Sequence, residues 1–315
     1  MKIAAGAALL ALAAASLFVG VIEIGPAALF GDPEALRVMA VSRLPRTLAA
    51  LLTGASTAVA GVIMQMIARN RFVEPMTTGT GQSAALGILL VTLFMPAAPL
   101  VVQMTVASLT ALAGSTLFLL IVRRLPVTQP LLVPLVGLVY GAVIGAGVTF
   151  VAYQADLLQY IGVWMNGEFS GVLLGRYELL WVSGATALVA YLVADQFSIA
   201  GLGRDVSVSL GLNYGLLVAA GLFMLSVIIA FNVVTVGMIP FVGLVVPNIA
   251  SRLIGDNLRS TLPWIATAGG GLVLACDIIG RIVRHPYEIP VGTIFGVVGA
   301  VIFLWLLYAR KPAHG

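Results

Sequence analysis

The sequence predicts an all-α, polytopic membrane protein with about ten transmembrane helices and with both termini in the cytoplasm. Hydrophobic residues make up 61% of the 315 positions and charged residues only 9%, a balance that excludes a water-soluble globular protein. Uncharged runs that approach or reach the roughly 20 helical residues needed to cross a bilayer recur along the whole chain. These runs are continuously apolar rather than alternating, which favours helices over a closed β-barrel.

Ten such runs divide the chain, and we interpret them as a single transmembrane domain covering residues 1–315. Pro96 and Pro99 separate the third run from the fourth, and the segment VTVGMIP separates the seventh from a short eighth, because glycine and proline loosen or end helices. The runs extend over residues 3–22, 47–68, 78–95, 100–122, 130–152, 179–194, 214–236, 240–253, 260–276 and 289–309.

Basic residues orient the predicted bundle. With the N-terminus inside, ten Lys and Arg residues are cytoplasmic and six are outside, whereas the opposite orientation would put the Arg69/Arg71 and Arg123/Arg124 pairs outside. The excess of positive charge expected on the cytoplasmic side favours the first choice. The outer basic residues then need an explanation of their own; they are Arg37, Arg43, Arg46, Arg176, Arg281 and Arg284.

The first run has a second interpretation. The stretch MKIAAGAALLALAAAS has the basic start, apolar middle and small residues of a secretory signal peptide. The apolar run continues to Ile22 and reaches spanning length, which favours a retained helix. Cleavage would leave the orientation of all later runs unchanged.

Several kinds of chemistry have no matching motif in this chain. Its only cysteine, Cys276, excludes a disulfide framework, and His285 and His314 are too few to form a metal cage with it. Neither Lys2 nor Lys311 follows the glycine-rich loop that cradles phosphates, and no H-E-x-x-H or G-x-S-x-G motif is present. The sequence has no basic stripe with interleaved aromatic residues for nucleic acid. We therefore expect no metal, cofactor or nucleic acid bound by this chain, and an intramembrane enzyme is a weak hypothesis.

Ion-coupled transporters generally carry ionisable groups inside their spans. Here Asp277 lies near one end of the ninth run, and Glu74 follows the second run in RNRFVEP. We interpret both as boundary residues that cap helix ends. A secondary transporter driven by an ion gradient stays open as the alternative function.

Small residues repeat at every fourth position of the fifth run, in GLVYGAVIGAG. Such spacing lets helices approach closely in lipid. Gly137, Gly141 and Gly145 therefore either pack helices within the chain or line a pathway between subunits.

Several stretches, in this order and spacing, resemble the FecCD-type permeases of binding-protein-dependent ABC importers. The resemblance covers residues 43–307, and RNRFVEP, NGEFSGVLLGRYELL and PFVGLVVPN look most like permeases of the petrobactin and anguibactin ferric-siderophore systems. The remaining stretches are SRLPRTLAALLTGASTAVAGVIMQ, AGLGRDVSVSLGLN, GMIPFVGLVVPNIASRLIGDNLRSTLP and CDIIGRIVRHPYEIPVGTIFGVVGAVIFLWLL.

The resemblance implies a ten-helix subunit with the fold of cobalamin permeases, which is the fold of type II ABC importers. It implies a place in the bacterial cytoplasmic (inner) membrane beside a second permease subunit, expected to be a paralogue rather than a copy. It also implies two separate ATPase chains that bind ATP and Mg²⁺, and an extracytoplasmic siderophore-binding protein or lipoprotein. The expected function is import of a ferric siderophore, with ATP hydrolysis on the ATPase chains.

By resemblance, residues 200–213 form the cytoplasmic coupling segment that docks into the ATPase. The pattern predicts a short amphipathic helix that begins near Gly203 and breaks at Gly211, with Val206 and Val208 as apolar contacts; a plain solvated loop is the alternative. A second cytoplasmic contact is expected around residues 252–259. The residues assigned to coupling are Gly203, Arg204, Asp205, Ser209, Leu210 and Gly211.

The cytoplasmic gate implied by the resemblance involves Asn70, Arg71 and Phe72, together with Thr128 and Gln129 in the loop at residues 126–129. The commoner family pattern is Asn-Pro-Leu where this chain has Asn70-Arg71-Phe72. Asn248 likewise stands where many relatives have histidine.

The outer arginines have a counterpart in the family as well. By resemblance, Arg43, Arg46 and Arg281 receive acidic residues from the two lobes of the binding protein. The alternative is that each arginine anchors a helix end to lipid headgroups.

Overall fold

The computed structural model describes residues 2–21, 25, 32–122, 124–125 and 132–308, and its regular elements within these ranges are all helices. Helix α2 continues through a π-helical turn, Met39–Arg43, into α3, and a 3₁₀ turn, Tyr177–Leu179, leads into α8. The α-helices are α1 (Lys2–Phe18), α2 (Pro33–Val38), α3 (Leu44–Ile67), α4 (Thr80–Phe94), α5 (Leu100–Val122), α6 (Leu132–Gln154), α7 (Leu158–Met165), α8 (Leu180–Leu192), α9 (Ala194–Gly201), α10 (Arg204–Ser209), α11 (Tyr214–Thr235), α12 (Val242–Ile254), α13 (Leu258–Ile282) and α14 (Val291–Tyr308).

Each of the ten predicted runs contains one apolar helix, so the predicted all-α membrane architecture is confirmed. Five helical stretches in the described ranges are long and apolar enough to cross a membrane alone, and α8 with α9 makes a sixth that is bent by 68°. The other four runs contain shorter helices, α1, α4, α12 and α14. A helix of 13 residues such as α12 is only about 20 Å long, so the loop segment before it has to cover part of the depth.

Two predicted boundaries were wrong, and both errors have the same cause. The second run was predicted to begin at Thr47 and the ninth to end at Cys276, because charged residues flank them. In the structure the helical stretch begins at Pro33, and α13 continues to Ile282. The charged residues that flank the predicted runs lie inside these helices because they form ion pairs with one another across the bundle, as described below.

Helix α3 lies at the centre of the bundle and contacts α8, α11, α12 and α13. Glycine makes the closest of these crossings possible. A Cβ atom at Gly61 would overlap the carbonyl oxygen of Gly243 on α12, and one at Gly54 would overlap that of Gly269 on α13. Helices that approach so closely gain van der Waals contact, which drives helix association in lipid.

Buried polar side chains join the middle of α3 to the last turn of α11. The Asn232 side chain donates to Ser56 Oγ (3.0 Å) and to Thr57 Oγ1 (2.9 Å), and all three residues are buried. Hydrogen bonds between helices add to packing where no water competes for the same groups.

Candidate functional site

The three predicted outer arginines meet in one cluster, which we call the outer arginine cluster (Arg43, Arg46, Arg281, Asp277 and Glu288). Arg46, in the first turn of α3, donates to Asp277 (2.8 Å) and to Glu288 (2.9 Å). Arg281, one helical turn after Asp277 on α13, donates to the other oxygen of Asp277 (2.7 Å). Packing of α3 against α13 therefore brings together residues from opposite ends of the chain.

The cluster also holds the C-terminal end of α1. Arg281 donates to the carbonyl oxygens of Ser16 (3.0 Å) and Val19 (2.7 Å) and to Ser16 Oγ (2.7 Å), and Arg43 donates to the same Val19 oxygen. The last carbonyls of a helix lack partners within the helix and carry partial negative charge, so guanidinium groups stabilise them.

The outer arginine cluster is largely buried, so it is not a simple exposed docking surface. Only 6% of Arg43 and 3% of Arg281 is exposed, and Asp277 is fully buried. Glu288 is the most accessible charged group of the cluster described here, with 26% of its side chain exposed. A protein partner would have to displace the end of α1 to reach Arg43 or Arg281. The docking role of the three arginines stays a prediction.

The predicted coupling helix is present as α10. Gly203 (φ 109°) precedes it and Gly211 (φ 78°) follows it, and both occupy the backbone region that glycine adopts most readily. Arg204 and Asp205 lie exposed in its first turn, and Ser209 donates to Val206 O (2.8 Å). Three apolar side chains are exposed on the segment: Val206, Val208 and Leu210.

Sequence reasoning missed the residue that fixes this helix. Ser207 is fully buried, and its hydroxyl contacts Gly203 O (2.7 Å) and Ile199 O (3.3 Å). It thereby joins α10 to α9. The alternation of serine and valine in DVSVS was the available signal, because one serine on the inner face must find a partner.

The predicted gate residues lie where α3 ends. Asn70 Oδ1 accepts from the Phe72 N–H (2.9 Å), and the Phe72 ring contacts Phe303 of α14 with centroids 6.2 Å apart. Arg71 reaches across to α12. Thr128 and Gln129 lie outside the described residues.

Glu74 lies inside the bundle and not at its boundary. It is fully buried, and its Oε1 accepts from the N–H of Phe241 (2.7 Å), the residue that precedes α12. The capping role was expected, but the boundary position was wrong. Phe241 packs against Gly299, about 12 Å along α14 from its start, so Glu74 caps a helix inside the bundle.

The glycines of α6 pack against their own chain. A Cβ atom at Gly137 would be 2.7 Å from Thr78 Cγ2, one at Gly141 3.2 Å from Gly79 N, and one at Gly145 3.6 Å from Gln82 Cγ. The structure thus supports packing within the chain, and a pathway role for these glycines stays a prediction. The opposite face of α6 exposes large apolar side chains, which include Leu135, Leu138, Val139 and Val143.

Comparisons with known proteins agree with this architecture. A family model described as the FecCD transport family matches residues 8–309. The petrobactin import system permease protein YclN of Bacillus subtilis is 44% identical over 304 residues, which is 96% of each chain. The ferric-anguibactin transport system permease protein FatD of Vibrio anguillarum is 41% identical over 304 residues, again 96% of each. A solved structure of a metal-chelate type ABC transporter in an inward-facing conformation is similar in fold, with 24% identity, a TM-score of 0.80 and 98% of both chains covered. This multi-pass membrane protein therefore belongs to the FecCD transport family.

Proposed function

We propose that the chain is the permease subunit of an ATP-driven importer that moves a ferric siderophore across the bacterial cytoplasmic membrane. The observation that carries the proposal is the 41–44% identity, over 96% of the chain, to permeases of petrobactin and ferric-anguibactin systems. The cargo would be an iron chelate of this kind. The permease itself would hydrolyse no ATP and bind no cofactor, because hydrolysis would take place on two partner ATPase chains.

The alternative of an ion-coupled transporter finds less support in the geometry. A coupling-ion site needs carboxylates that can release and rebind a cation. Asp277 is neutralised by two arginines, and an oxygen of Glu74 is taken by the Phe241 N–H. The pairing of Asp277 favours a permease driven by its ATPases.

The exposed faces suggest where the partners bind. We assign a second, paralogous permease to the apolar face that α6 and α14 expose, where Val143 and Val297 are among the accessible side chains. We assign the ATPase to α10, because exposed apolar residues beside two charges suit insertion into a protein groove. The extracytoplasmic binding protein would dock at the outer arginine cluster.

Purification of the complex tests this proposal. The full chain, tagged and extracted in mild detergent from its own bacterium, should retain a second FecCD-type permease, a P-loop ATPase and a lipoprotein. Mass spectrometry identifies the retained chains. Isolation of this chain alone, in an active state, would contradict the proposal.

Removal of the two charges of α10 should uncouple the permease. We expect Arg204→Ala with Asp205→Ala to reduce ATPase retention on the tagged chain about tenfold, because charges beside an interface fix its register. Glu34→Ala with Arg37→Ala is the matched control, since these residues lie on α2, another six-residue helix, on the predicted outer side. Equal retention by both double variants would assign α10 a solvated, non-docking role.

Removal of Arg46 should weaken docking of the binding protein. We expect Arg46→Gln to raise the dissociation constant of the purified binding protein about tenfold, while ATPase retention stays unchanged. Arg284→Gln, at an exposed outer arginine, is the control. An unchanged dissociation constant would leave the outer arginine cluster with its structural role alone.

A further inference from the structure

A second cluster of charges holds the gate segment on the cytoplasmic side. Arg71 donates to Asp256 (2.9 Å) and to Ser251 Oγ (3.0 Å), and the side chain of Asn248 donates to the carbonyl oxygen of Arg71 (2.8 Å). Ser251 also contacts Asp256. One loop residue is thus held through both its backbone and its side chain. Its partners lie on α12 and on the turn that follows α12.

Arg71 and Asn248 meet in this cluster although they are 177 residues apart in the sequence. Proline fixes its own φ angle, whereas arginine does not. The bonds to Asn248 and Asp256 restrict the Arg71 backbone and side chain from outside, so they substitute for the rigidity that proline would give.

The held segment lies between the elements that a transport cycle would have to connect. The Arg69 guanidinium abuts Gly203 before α10, because a Cβ atom there would be 2.9 Å from Arg69 Nη1. On the other side, Phe72 contacts Phe303 of α14. A cavity of about 400 Å³ opens beside this segment, and residues of α3, α9, α12 and α13 line it together with Arg69, Asn70 and Arg71. Residues 69–72 therefore contact Gly203 at the start of the coupling helix, α12 and α14.

The ion pair between Arg71 and Asp256 is weak enough to break and form again. The side chains of Arg71 and Asp256 are 51% and 64% exposed. Ion pairs this exposed contribute about 0–1 kcal/mol and weaken with salt. Such a bond can fix the resting position of a loop without blocking its movement.

We propose that Arg71 is a positioning residue of the cytoplasmic gate, tethered by Asp256, Ser251 and Asn248, and that this tether couples movement of α10 to movement of α14. The proposal rests on the permease function proposed above. It differs from a role in which Arg71 attracts an anionic chelate, because a tether needs a fixed backbone and chelate attraction needs the positive charge.

Substitution by proline separates these two roles. In the described part of the chain the N–H of Arg71 makes no hydrogen bond, so a proline there removes none. In proteoliposomes with the complete importer, we expect Arg71→Ala to raise the ATP consumed per transported chelate about fivefold. We expect Arg71→Pro to stay within about twofold of the wild type. The concentration of loaded binding protein that gives half-maximal uptake should not change in either variant.

A charge exchange adds a second arm with a matched control. Arg71→Asp and Asp256→Arg should each uncouple the importer, and the double variant should restore coupling to within about twofold. The control is the exchange of two exposed charges on the predicted outer side, Glu34→Arg with Arg37→Glu on α2, which should leave coupling unchanged. The proposed tether would be overturned if Arg71→Pro were as defective as Arg71→Ala, or if the double exchange failed to restore coupling.

Amide hydrogen exchange tests the proposed tether independently of the proposed function. In the purified chain alone, Arg71→Ala and Asp256→Ala should speed amide exchange at Phe72 and Val73 several-fold, since local openings set exchange rates, whereas Arg71→Pro and Arg259→Ala should not. Unchanged exchange in Arg71→Ala would refute the tether. A wild-type importer that moves no chelate would refute the proposed function instead.

Discussion

Asp277→Asn should destabilise the chain by about 3–5 kcal/mol, because it leaves the buried Arg281 without an ion-pair partner and Arg46 with Glu288 alone. Asp277 is fully buried between Arg46 and Arg281, and Arg281 in turn holds the carbonyl oxygens at the end of α1. An asparagine of the same shape keeps the packing and removes the charge. The expected result is loss of folded protein or a thermal midpoint far below that of the wild type.

Thermal unfolding of the detergent-purified chain checks this expectation. Asp256→Asn is the control, because the ion pair of Asp256 with Arg71 is exposed and the loss of such a pair should cost about 1 kcal/mol or less. A midpoint for Asp277→Asn equal to that of the control would show that the outer arginine cluster contributes little to stability.

Gly61→Val should prevent α3 and α12 from approaching each other. The added Cβ atom would overlap the carbonyl oxygen of Gly243, which belongs to rigid helix backbone and cannot turn aside. Separation of the helices would also break the bond from the Gln65 side chain to Gly243 O (3.1 Å). Overpacking of this kind typically costs about 1–3 kcal/mol, and rigid backbone on both sides puts this site at the upper end or beyond.

The matched control is Gly147→Val on α6, where no atom lies within 4 Å of the added Cβ. Size-exclusion chromatography of the isolated chain, before and after heating, compares the two variants. We expect aggregation of Gly61→Val at temperatures that Gly147→Val survives. Equal survival would mean that α3 and α12 cross at a larger distance than the structure gives them.

Local patterns in the sequence predicted most of the fold, and the two wrong helix boundaries share one physical cause. Continuous apolar runs located the five long helices, the bent pair and the four shorter apolar helices of the described residues, because helices in lipid must satisfy their own backbone groups. The ends of α3 and α13 were misplaced because hydropathy treats Arg46 and Asp277 as hydrophilic wherever they lie. Their pairing spans 231 residues, and no local pattern encodes such a contact.

The candidate site also has parts that a local pattern predicts and parts that depend on helix packing. The position of α10 followed from Gly203 and Gly211, since glycine at positive φ is a local property. The contact between Arg71 and Asp256 and the capping of α12 by Glu74 did not follow, because each joins loops that meet only after the helices pack.

Uptake of iron by proteoliposomes is the most direct test of the proposed function. The purified complex, with binding protein and radiolabelled ferric petrobactin outside and ATP inside, should accumulate the label only when ATP and the binding protein are both present. Proton and sodium gradients without ATP should produce no accumulation. Uptake driven by either gradient, in liposomes that contain this chain without ATPase partners, would contradict the proposed function.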